Sequence, residues 1–247
     1  MRLKIIACKV LFRELSLLAA RSGNTIDTVF LDQRYHDQPE GLRAKLQQKI
    51  IEIENEVAPP AHSPYARSHD YEAILLGYAL CSNAIVGLRS SKYRLVVPRA
   101  HDCISLFLGS RRRYKQYFDK HPGTYWYTRG WMENVLMPGK ERYQESYQHY
   151  SQQYGEDNAD YLMKMEQDWL SKYNRCTFIE WPDIPAEQHK QQARSASRYL
   201  DWAYDEQLGS SELLRDFVEG NWDNRFLVIE PGKSIAPSFD EGVITES

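Results

Sequence analysis

Short apolar runs alternate with helical spacings through the first half of this chain. Leu3 to Cys8 (LKIIAC) predicts a strand, and Phe12 to Arg21 (FRELSLLAAR) has helical spacing closed by the turn residues Ser22-Gly23-Asn24. Thr25 to Leu31 predicts a second strand. Gln38 to Glu56 has Pro39 near its start and repeats Leu42, Leu46, Ile50 and Ile53 at spacings of three and four, the pattern of an amphipathic helix laid on a sheet. Ala58 to His69, rich in Pro and small polar residues, predicts a loop. Tyr71 to Leu76 and Tyr93 to Val97 are the third and fourth strands. A turn from Gly77 and a short helix, Asn83 to Leu88, lie between them, and a helix from Ile104 to Tyr117 follows. The alternation predicts an α/β fold with an open, mainly parallel, doubly wound sheet.

The pattern changes after that. From Lys140 to Tyr173 the chain turns to Gln, Glu, Lys and Tyr, with Tyr143, Tyr147, Tyr150, Tyr154, Tyr161, Met165, Trp169 and Tyr173 at helical spacings and a break near Gly155. This predicts a helical insertion, 140–173, within a single domain of residues 1–247. Cys176 to Trp181 is strand-like, Pro185 to Tyr204 and Ser210 to Val218 are helical, and Arg225 to Ile229 is a last strand before the turn Glu230-Pro231-Gly232-Lys233. The tail from Ser234 to Ser247 has little to bury and is expected to be frayed.

A chain of 247 residues can bury a core without disulfides. Its formal net charge of -3 gives no basic excess for nucleic acid or anionic lipid. The opening Met1 to Cys8 is too short and too soon interrupted by Lys9 for a signal peptide, and no apolar run has the length of a membrane span. Cytoplasmic location with reduced thiols is the expectation for the four cysteines.

Three of those cysteines carry the candidate chemistry. In a sheet ordered 2-1-3-4, the carboxyl ends of the first, third and fourth strands are neighbours at the topological switch point, and they bear Cys8, Cys81 and Cys103. Three thiolates with an open fourth position suit zinc or an iron–sulfur cluster. His101, two residues before Cys103, is a candidate fourth ligand, hydrogen-bonding partner or catalytic group. No C-x-x-C, H-E-x-x-H, Walker loop or G-x-G-x-x-G is present, so three core or loop cysteines without a ligand is the plain alternative. A second alternative makes Cys81 or Cys103 a nucleophile with His101 as its base. Cys176 opens a strand and is expected to be structural.

A small anionic molecule is the expected substrate. The turn and short helix with Asn83 offer backbone N–H groups, Arg99 and Arg111 offer positive charge, and Lys233, in the turn after the last strand, is expected to face the same carboxyl edge. The segment 121–131, HPGTYWYTRGW, is either a lid over the switch point or a hydrophobic strand or loop of the core. Its Tyr125 is a candidate substrate contact, and Glu133 just beyond it a candidate general acid or base.

The segments Gly77 to Leu88 (GYALCSNAIVGL), Pro98 to Cys103 (PRAHDC), Leu108-Gly109-Ser110, Pro122 to Trp131, and Trp222 with Arg225-Phe226-Leu227-Val228 and Pro231-Gly232 together resemble a domain-of-unknown-function family of bacteria and archaea, DUF1638. Its members are often encoded near corrinoid-dependent methyltransferases, and its cysteines map to Cys8, Cys81 and Cys103. The resemblance implies a role near one-carbon or methyl-transfer metabolism, and the cysteine placement makes a metalloenzyme the expectation there. It also leaves open a non-catalytic accessory protein that binds a methyltransferase, or a second copy of itself, through the helical insertion.

Overall fold

The computed structural model describes residues 1–56, 70–80, 83–238 and 242–247. The chain forms two compact units, one of residues 1–111 with 211–247 and one of residues 112–210. The helical segment expected as an insertion is thus part of a longer inserted unit with a sheet of its own.

The first unit begins with β1 (Arg2–Cys8), a 3-10 turn at Lys9–Leu11, α1 (Phe12–Arg21), β2 (Thr25–Leu31), a second 3-10 segment at Gln33–Asp37 and α2 (Pro39–Glu54). β3 (Ala73–Gly77), β4 (Arg94–Pro98) and α3 (Cys103–Leu108) follow. The loop expected over Ala58–His69 lies outside the described residues. Asp102 caps α3 by accepting from the Ser105 N–H at 3.2 Å, and Gly109, in the left-handed region at φ 72°, closes it. That glycine splits the helix expected from Ile104 to Tyr117, and α4 (Arg111–Lys120) starts anew.

The second unit continues with β5 (Thr124–Thr128), α5 (Arg129–Met132), α6 (Lys140–Tyr154), α7 (Glu156–Leu170), β6 (Arg175–Glu180), α8 (Glu187–Tyr199) and β7 (Ala203–Leu208). Within the aromatic segment 121–131, Thr124–Thr128 is a strand, and the helix expected to reach Tyr204 stops early to make room for β7. Burial along TYWYT and AYDEQL does not alternate strictly, so neither strand carries the one-in, one-out period by which a strand is read from sequence. Gly155, at φ 84°, makes the break between α6 and α7 where the composition predicted it. The chain then returns to the first unit with α9 (Glu212–Glu219), β8 (Phe226–Ile229) and the short strands β9 (Ile235–Pro237) and β10 (Ile244–Glu246).

The first sheet has the order β2-β1-β3-β4-β8. Its first four strands are parallel and in the 2-1-3-4 order expected from the sequence, whereas β8 pairs antiparallel with β4. One face packs Ile6, Ile74, Leu76, Leu95 and Val97 against Leu42, Leu46, Ile50 and Ile53 of α2. The alternate strand residues Leu3, Ile5, Leu75 and Val96 are buried as well, and α1 and α9 pack on each other. Near-continuous apolar strands are what a sheet covered on both faces requires. The tail is not frayed where it is described: β9 and β10 pair antiparallel, the Ile235 N–H and carbonyl join Leu88 and Gly87, and Ile235, Val243 and Ile244 are buried. A few apolar residues on a ribbon suffice to anchor it.

The second sheet is β5-β6-β7, all parallel, with a core of Tyr127, Cys176, Phe178, Ala186 and Ala193. No helix among the described residues is long and apolar enough to cross a membrane.

Candidate functional site

Parallel pairing aligns the carboxyl ends of β1, β3 and β4 along one edge of the first sheet. β1 ends at Cys8. Its neighbour β3 ends at Gly77, which pairs with Ala7, and a Cβ at position 77 would stand 2.5 Å from the Ala7 Cβ and 3.1 Å from Leu15 Cδ1. Only glycine lets the two strands and α1 meet there. Beyond the strands, the Leu80 N–H donates to the Ala100 carbonyl at 2.9 Å, tying the turn after β3 to the loop after β4. Leu80 precedes Cys81 in the chain, and Ala100 precedes His101, Asp102 and Cys103.

Cys8 and Cys103 are partly buried and free of disulfides, and Cys81 lies outside the described residues. Burial pushes the Cys8 thiol up to about 11; the Asp32 charge adds to this, and the backbone donors of Val10 and Lys9 oppose it. At neutral pH an unliganded Cys8 is a neutral thiol, so it is a poor nucleophile. Cys103 is the first residue of α3, and His101 stands exposed before the Asp102 cap. Among the described residues no group of three or more His, Cys, Asp or Glu side chains could hold a metal, so Cys8, His101 and Cys103 do not make such a group by themselves. Cys176 is fully buried, its Sγ 3.6 Å from the Ala193 carbonyl, and burial pushes its thiol up to about 12. It is a core residue, as its place at the start of a strand implied.

The residues expected to bind an anion have other engagements. Arg99 donates to the carbonyls of Phe226 at 3.2 Å, Gly242 at 3.0 Å and Ile244, so its guanidinium fastens the C-terminal ribbon. Lys233 was expected at the carboxyl edge. Because β8 runs antiparallel, the turn after it lies by the start of β4, where Arg94 Nε donates to Glu230 at 3.1 Å, and Lys233 Nζ donates to Glu246 at 2.5 Å. Asn83 to Gly87 form a turn with both end residues at positive φ, not a helix, so no helical N-terminus faces an anion there. The Asn83 carbonyl accepts from Arg43 at 2.9 Å. Arg111 begins α4 and is the last residue of the first unit before the inserted one.

Tyr125 and Glu133 belong to the second unit. Tyr125 lies in an aromatic cluster, stacked on Trp202 at 5.9 Å and edge-on to Tyr173 at 5.0 Å and Trp169 at 6.1 Å. Burial raises its phenol. Glu133 is bonded to Arg129 Nε at 2.8 Å, with His189 Nε2 at 3.8 Å, while Arg129 also donates to the Pro185 carbonyl. The Arg129–Glu133 pair was legible as a spacing of four on one short helix. His189 and Glu166, which pairs with Arg142 at 2.7 Å, were not, because only the fold brings them to their partners.

The pattern of the family described as a protein of unknown function, DUF1638, matches residues 30–218, and the chain belongs to that family. No curated protein and no solved structure matches it.

Proposed function

We propose that the carboxyl edge of the first sheet is a thiolate metal centre with Cys8, Cys81 and Cys103 as ligands and zinc or an iron–sulfur cluster as the metal, and that the protein is a metal-dependent transferase or lyase acting on a small molecule. One observation carries this reading: the β2-β1-β3-β4 order, tightened by the Leu80-to-Ala100 hydrogen bond, joins the turn leading to Cys81 with the loop leading to Cys103 beside the end of β1. A metal with one open position would serve as a Lewis acid toward a hydroxyl, carbonyl or thiolate. His101 is available in sequence to complete or orient the ligand set. The small molecule is anionic in this proposal, and because Arg99 and Lys233 are engaged by protein groups its charge would fall to other donors. A place in one-carbon or methyl-transfer metabolism rests on the family resemblance.

The test is anaerobic purification with elemental analysis and a visible spectrum, repeated on the Cys8→Ser, Cys81→Ser, Cys103→Ser triple variant. Stoichiometric zinc, or iron with sulfide, present in the parent and lost in the variant is expected. Metal-free parent protein with an unchanged spectrum sinks the proposal.

A second reading, a non-catalytic accessory protein, is favoured by one feature of α7. Tyr161, Met165 and Trp169, spaced four apart on one face, are 63%, 54% and 40% exposed. An exposed apolar stripe of this kind suits a partner helix. Co-elution with a corrinoid methyltransferase that is lost in Tyr161→Ser/Met165→Ser would support it, and separate elution of the parent protein would remove it.

A further inference from the structure

The second unit contains a cavity of about 310 Å³ whose walls come from the first turn of α6, the later turns of α7 and the chain after α8. Six of its lining residues set its chemistry: Arg142, Tyr143, Glu166, Gln167, Ser171 and Trp202. We infer that this cavity is a binding site for a planar heteroaromatic molecule of no net charge, one whose edge carries both hydrogen-bond donors and acceptors. The inference rests on none of the cysteines.

Arg142 Nε and Glu166 Oε1 are 2.7 Å apart, with side chains only 27% and 15% exposed. Each neutralises the other, so an anion alone or a cation alone would have to break the pair and leave a charge in a partly desolvated place. A neutral edge can instead accept from the guanidinium fork and donate to the carboxylate while the pair stays together.

Trp202 is stacked on Tyr125 at an interplanar angle of 28° and meets Tyr173 at 5.9 Å, so the indole is held from behind by other rings. The Arg142 charge also favours the ionised form of the Tyr125 phenol, against burial, so the guanidinium lies close to that aromatic wall. A rigid ring beside a fixed donor–acceptor edge is the arrangement that flat heterocycles satisfy, by stacking on one side and hydrogen bonding on the other. Gln167 adds an amide that can donate or accept, and the volume falls at the small end of ligand clefts, which suits a bicyclic or tricyclic ring.

The test uses the full-length protein and three planar probes, guanosine, 6-hydroxymethylpterin and riboflavin, followed by saturation-transfer NMR and quenching of tryptophan fluorescence. At least one probe is expected to bind with a dissociation constant below about 1 mM. Glu166→Gln and Trp202→Leu should each weaken it about tenfold or more. Ser171→Phe, which projects a ring into the cavity from an exposed position at the end of α7, should abolish it with the circular dichroism melt unchanged. Gln192→Ala, which lines the neighbouring cavity and not this one, should leave it intact. No binding by any probe to folded protein overturns the inference. So does binding that survives both Glu166→Gln and Ser171→Phe, or binding displaced by inorganic phosphate or benzoate.

Discussion

The two parallel sheets of this protein are covered by different kinds of side chain. In the first unit every residue of β3 is buried, β4 is buried after Arg94, and the face toward α2 is closed almost wholly by Leu, Ile and Val. In the second, rings and ion pairs do that work. Tyr125, Tyr127, Trp202 and Tyr204 surround the core, Tyr117 donates to Asp205 at 2.6 Å, and Lys190 bridges Glu180 at 3.1 Å and Glu206 at 2.8 Å. Branched aliphatic side chains interdigitate to crystal-like density. The rings of the second unit lie 5 to 6 Å apart at mixed angles, and two cavities, of about 310 and 500 Å³, lie in that unit. The first unit is closed by aliphatic side chains, while the second keeps polar and aromatic groups at its cavity walls.

The strongest way to break this contrast is to remove a ring. Tyr127 is fully buried in the second core and its hydroxyl donates to the Pro138 carbonyl at 2.7 Å. Tyr127→Ala should cost about 3–5 kcal/mol. Hydrogen exchange should show the loss in the amides of β5, β6 and β7, and equal loss of protection across β1 to β4 would mean that the two cores are not separate. A smaller effect should come from overfilling the aliphatic sheet. Gly77→Ala sets a methyl against Ala7 and Leu15, and is expected to cost about 1–3 kcal/mol, read as a lowered denaturant midpoint with increased exchange in β1 and β3.

The least effect sharpens the contrast through pH. Burial opposes ionisation of Glu206, but hydrogen bonds from Lys190, Arg194 and Tyr204 outweigh it and hold the carboxyl below its ordinary value. A depressed folded value stabilises the protein above the ordinary carboxyl range and is lost as pH falls through the folded value. Glu206→Gln should therefore lower stability at pH 7 and flatten its decline below about pH 4.5. An acid limb of the same slope in parent and variant, measured by urea titration at several pH values, would show that Glu206 does not contribute to it.

Sequence alone determined the elements whose periodicity is unmixed. FRELSLLAAR and TIDTVFL became α1 and β2 with the bounds read from them, and the parallel strands followed the 2-1-3-4 order that right-handed crossovers favour. It also located the carboxyl edge and the two described cysteines there. A strand at β5 was only one of two readings of its segment; undisclosed were β7, whose burial follows no period of two, and the reversal of β8, since a short apolar strand reads the same in either direction. That reversal moved Lys233 to the other edge. Tertiary structure alone decided the partners of other long charged side chains, giving Arg99 to the C-terminal carbonyls and Arg142 to Glu166. Local pattern is set by backbone geometry over a few residues, whereas a guanidinium or carboxylate takes whichever partner the completed fold brings within reach, across separations that no local period encodes.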